Sequence, residues 1–181
     1  MQLNVPEQDS LTLPKKEVEE AIVKLGFIIQ NTLYNYMLKD KYTIKVQPTT
    51  FTNQTLFASG LSFNENKKMN LADLAKLLQV DAVIYLKADL GKINYKNLSV
   101  FIGIGSPGFI LLGGALTAVS AATAKVRQTD NVNLMASVIE SEHGLEIWNK
   151  QYQSEPKTFG GLDDFFSTSL KNVSKKLLYK K

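Results

Sequence analysis

The chain has no cysteine, one arginine (Arg127), one histidine (His143) and one tryptophan (Trp148) among its 181 residues. Each scarcity excludes something. Without cysteine there is no disulfide, no thiolate metal site and no thiol nucleophile. With Arg127 alone, the chain lacks the guanidinium groups that contact phosphates and base edges in pairs of hydrogen bonds. The lysines come in scattered pairs (Lys15-Lys16, Lys67-Lys68, Lys175-Lys176, Lys180-Lys181), and a net charge of +4 is mild, so no nucleic-acid partner is expected. His143 stands beside Glu142 with no nucleophile supplied nearby and reads as an exposed turn residue. Asp163 and Asp164 form a carboxylate pair that the start of a helix explains. Asp81 and Asp89 flank a strand, and no spacing of His, Asp and Glu suggests a metal. No catalytic residue, cofactor or metal is expected.

What remains is ordinary globular material, 44% apolar and 21% charged. That suits one domain over 1–181, with 1–13 as an extended N-terminal segment. Met1 to Pro6 lack the basic start and apolar run of an export signal, which leaves a cytosolic protein or a mature segment.

Four patterns give the elements. Val18, Ile22, Leu25, Ile29, Leu33 and Tyr36 recur at helical spacing, so Lys15–Lys39 is predicted as a long helix after Pro14. Asn70 caps a second helix, with Asp73 placed as in a capping box and Leu71, Leu74, Ala75 and Leu78 as its buried stripe. Val132 to Ile139 alternates, Ser141 to Gly144 turns, and the return strand through Leu145, Ile147, Trp148 and Tyr152 completes a hairpin. A last helix runs Leu162–Leu178, acidic at its start and basic at its end. "YTIKVQP" reads as a strand and the polar stretch after it, from Thr49 to Lys68, as mostly loop. Val80 to Leu86 is continuously apolar and reads as a central strand covered on both faces. The fold class is therefore α/β (α+β): a layered, mixed sheet of about four or five strands packed by long helices.

One stretch stands apart. Asn97 to Ala124 carries no charge, and it contains Gly103-x-Gly105-x-x-Gly108. That spelling matches a dinucleotide-binding turn, but the acidic residue at the right distance, Asp130, precedes the next strand instead of ending it. The stretch is also long enough to span a membrane, but six glycine and proline residues break it near the middle. The preferred reading is a strand Leu98–Ile104, a turn at Gly105–Gly108, and a small-residue helix from Phe109 to Lys125. Phe101, Ile102, Phe109, Ile110, Leu111 and Leu112 are its candidate interface residues, against the protein itself, a partner or a membrane. The alternative is a cytosolic small-ligand-binding domain that uses the turn at 103–108.

"LADLAKLLQVDAVIYLKADLG" and "LMASVIESEHGLEIWNKQYQ" resemble the helix–strand and hairpin of bacterial lipoproteins related to the N-terminal domain of TolB and to the curli-secretion protein CsgG. The resemblance covers about Leu71–Leu178. It implies a periplasmic, outer-membrane-anchored, non-enzymatic domain that binds an envelope protein or assembles with itself, with possible membrane contact. The lipid-anchor cysteine of such proteins is absent from this sequence. It also implies Leu74, Leu78, Ala82, Ile84 and Trp148 as core.

Overall fold

The computed structural model describes residues 2–4, 15–40, 42–61, 69–89, 132–154 and 162–178. They form β1 (Gln2–Asn4), α1 (Lys15–Lys39), α2 (Thr49–Ala58), α3 (Leu71–Leu77), β2 (Ala82–Asp89), β3 (Val132–Glu140), β4 (Glu146–Ser154) and α4 (Leu162–Lys176). The fold is mixed α+β. Its framework is the antiparallel sheet β2-β3-β4, and the three-residue β1 adds to β2 in parallel, giving the order β1-β2-β3-β4. Two further strands were expected, at Leu98–Ile104 and "YTIKVQP". The first lies outside the described residues. The second is corrected: Tyr42 makes a single bridge, and bends follow.

Strand alternation explains the core. Ile84, Leu86 and Ala88 of β2 share a face with Val132, Leu134, Ala136 and Val138 of β3, and all of them but the partly buried Ile84 are buried. Leu25, Ile29, Leu33 and Met37 of α1 join it, as do Phe165, Phe166, Leu170 and Val173 of α4, with Leu177 just beyond. Both helices therefore lay an apolar stripe on one side of the sheet. Leu74 and Leu78 are buried outside this cluster, with Ala72, Ala75 and Ile139. Ile139 alternates away from Val138, so α3, which packs on β2 and β3, covers the other side at one end.

Ala82, Ile84 and Trp148, expected as core, pack against this cluster but are only partly buried. For Trp148 the reason is position: it lies on the outermost strand, where the helices cover only part of the ring. β2 is likewise corrected. Val83 and Tyr85, on its second face, are half-buried, and on the first face only Leu86 and Ala88 are fully covered.

The Thr49–Lys68 stretch also departs from expectation, because Thr49–Ala58 is helical. Its threonines and asparagine have low intrinsic helix propensity, and none of its residues is buried. Local bonds explain it. Gly60 takes φ +72, its N–H donates to Phe57 O and that of Leu61 to Leu56 O, closing the end in a Schellman motif. Thr49 Oγ1 donates to Asn31 Oδ1 at 2.6 Å and Asn53 Nδ2 to Gln30 Oε1 at 3.1 Å, tying α2 to α1. α3 ends in the same motif with Gln79 at φ 55 in place of glycine, and Asn70 Oδ1 accepts the Ala72 N–H at its start.

Two tyrosines bind α1 and the loop after it to α4. Tyr36 OH and Ser167 Oγ are 2.8 Å apart, and Tyr42 OH donates to Ser174 O. Burial first, and then the nearby Asp40 charge, push the Tyr42 pKa up to about 12. An unfolded tyrosine ionises near pH 10, so this contribution is complete below about pH 10 and is lost as pH rises toward 12. Denaturant titrations between pH 9 and 12 should therefore show wild type losing stability more steeply than Tyr42→Phe. The variant should also start about 1 kcal/mol lower at pH 7, having lost one hydrogen bond. Equal pH slopes would place the alkaline loss at other groups.

Candidate functional site

The register puts the chain's long connections at one end of the sheet. Asn4 faces Asp89, Asp89 faces Asn133, and Asn133 faces Gln153. Residues 5–14, 90–131 and 155–161 all leave or re-enter the sheet there. The other end holds the β3–β4 turn and the α3–β2 junction, where Ser141 N–H donates to Asp81 O at 2.8 Å. Connections set on a rigid sheet are where binding residues concentrate. Phe101, Ile102, Phe109, Ile110, Leu111 and Leu112, together with the Gly103–Gly108 turn, belong to the 90–131 connection and lie outside the described residues. The structure fixes where that connection is rooted: Asp89 is exposed, while Ala88 and Val132 are fully buried. Among the described residues no helix is long and apolar enough to cross a membrane.

At the opposite end His143 is exposed in its turn, as expected. Its organiser is Glu140, which the sequence reading did not single out. Glu140 Oε1 accepts the His143 N–H at 2.7 Å and Oε2 the Glu142 N–H at 3.0 Å. His143 Nδ1 lies 3.1 Å from the same Oε1, and Nε2 lies 4.0 Å from Glu142 Oε1. Burial raises the Glu140 pKa, but the N–H groups of His143 and Glu142, with smaller help from Leu145 and the imidazole, outweigh it and hold the carboxyl below its usual range. The signal was present as a carboxylate two and three residues ahead of turn N–H groups. Glu140, Glu142 and His143 each offer a ligand atom within 4.8 Å of the others. The Glu140 oxygens are already committed to the turn's own N–H groups, which accounts for the cluster without an ion.

Among the described residues, the other candidate carboxylates do not converge. Asp81 and Asp89 sit at opposite ends of β2 and are exposed, and Asp164 is exposed in the first turn of α4. Asp163 falls in the same turn of backbone.

β4 is the outer strand on its side of the sheet, and among the described residues no segment pairs with its far edge. Asn149, Lys150, Gln151 and Gln153 are exposed, while Trp148 and Tyr152 are half-buried against the core. Its pairing with β3 slips between Val138 and Ile139, leaving Ile147 as the extra residue of a bulge.

No family model, no curated protein and no solved structure matches this chain.

Proposed function

We propose that the chain is a non-enzymatic domain of the bacterial cell envelope, similar to the TolB N-terminal and CsgG-like lipoproteins. In this reading it is periplasmic and held at the outer membrane through a lipidated cysteine that the sequence itself does not contain. It acts by binding an envelope protein or by self-assembly, with Phe101, Ile102, Phe109, Ile110, Leu111 and Leu112 as the contact residues. One observation carries the reading. The 90–131 connection joins neighbouring antiparallel strands, Asp89 beside Asn133, a task for which a turn of about two to five residues is enough. The excess length carries the uncharged stretch Asn97–Ala124. Apolar sequence beyond what the connection needs fits a contact surface for protein or lipid.

Sedimentation of wild type, Phe109→Asp and Ile110→Asp, with and without lipid vesicles, tests it. Wild type should associate or pellet with vesicles, and each variant should stay folded by circular dichroism while losing at least about tenfold in that association, the cost of setting a charge in an apolar contact. A wild type that ignores lipid and partner, with variants that unfold, would make the stretch internal packing and sink the proposal.

A further inference from the structure

We infer that the outer edge of β4 pairs, antiparallel, with β4 of a second copy of this chain, on a twofold axis through Gln151. This goes beyond the function proposed above and does not use residues 90–131. An edge strand presents a row of backbone N–H and C=O groups, and natural edges are guarded by charge, proline or a bulge. β4 is guarded at one end, where the bulge at Ile147 sits. From Trp148 to Ser154 the pairing with β3 is regular, without proline, and its one charge is Lys150.

That stretch is self-complementary in one full-length register. Facing residues must point to the same side of a sheet, so the axis passes through a residue and not between two. Through Lys150 it would set two ammonium groups face to face, which is destabilising. Through Trp148 or Asn149 it would draw the bulge residue Ile147 into the ladder. Through Tyr152 it would leave only Lys150–Ser154 paired. Through Gln151 the whole of Trp148–Ser154 pairs: Gln151 with Gln151 of the second copy, Asn149 with Gln153, Lys150 with Tyr152, and Trp148 with Ser154. The amides can exchange hydrogen bonds, and each Lys150 lies over the exposed part of a tyrosine ring. The product is one continuous sheet across two protomers, with both helical layers on the same side.

The absence of cysteine makes the test direct. Facing residues of an antiparallel ladder have Cα atoms about 4.5–5.5 Å apart, inside the range a disulfide spans. Gln151→Cys should cross-link to dimer under mild oxidation at least about tenfold faster than Gln153→Cys. In this register the two copies of residue 153 stand four residues apart along the ladder, about 13 Å. A mixture of Asn149→Cys and Gln153→Cys should cross-link as the heterodimer. Gln151→Lys, an exposed change that leaves the monomer folded, should abolish the dimer in sedimentation at protein concentrations on the order of 100 μM, where weak pairings are populated. The dimer should persist in Phe109→Asp, which separates it from the apolar contact. Equal cross-linking of the 151 and 153 variants overturns the register. A chain that carries Phe109→Asp alone and is monomeric at that concentration overturns the pairing and leaves the edge to a strand from another protein.

Discussion

Phe165→Ala should lower the folding stability by about 3–5 kcal/mol, the usual cost of emptying a filled aromatic site. Phe165 and Phe166 are both buried although they are neighbours on one helix, about 100° apart around its axis. α4 must therefore be covered on two sides, by the sheet and by α1. The two rings meet edge to face, with centroids 5.4 Å apart. They belong to one buried core with Leu25 and Ile29 from α1 and Leu134 and Val138 from β3. Removing one ring opens a cavity in the core that α1, α4 and the sheet share. A domain of this size has about 5–15 kcal/mol in total, so the variant should sit near the edge of unfolding. The midpoint of a denaturant titration reads this directly. A loss below about 1 kcal/mol would mean that the cavity collapses or that α4 is not packed as described.

Gly144→Val should cost about 2–4 kcal/mol, from two separable causes. Gly144 has φ +71, a conformation that costs a side-chain-bearing residue about 1–2 kcal/mol. A Cβ there would also stand 3.1 Å from the Cβ of Ala72, so the buried start of α3 would have to give way. Gly60→Val separates the two. Gly60 has φ +72, but a Cβ there meets nothing within 4 Å. The difference between the two losses in thermal or denaturant unfolding is the contact between the β3–β4 turn and α3. If both variants lose the same amount, that contact is slack and the turn does not brace α3.

The elements legible in the sequence are those whose signal is local. Helical spacing of apolar residues gave α1 with its observed bounds, Lys15–Lys39, and the Asn70 cap gave the start of α3. Alternation with a glycine turn gave the β3–β4 hairpin. What failed depends on neighbours the sequence does not name. Tyr42 and Val46 alternate like a strand, but they pack against the core cluster and Tyr42 makes only a single bridge. α2 is stabilised by bonds to Gln30 and Asn31, twenty residues or so away, and its propensity alone argues for loop. The part-burial of Trp148 follows from the sheet order, since a residue on an outer strand has half the company of one inside. For the same reason the Gln151 edge could not be read in advance: alternation shows which side a residue faces and not which strand lies outermost. The proposed contact residues of the 90–131 connection rest on composition and lie outside the described residues.

The neighbouring roots of the 90–131 connection also bear on how the domain folds. Closing a flexible loop costs entropy that grows only with the logarithm of its length, about 0.6 kcal/mol for each doubling. The β3–β4 hairpin can form first from local contacts, and β2 then joins β3 by bringing Asp89 to Asn133 across the 90–131 connection. β1 must come late, because Gln2 finds its partner Lys87 only once β2 is in place. Lengthening or shortening the connection moves this sequence of events very little, so the sheet places almost no constraint on what it contains.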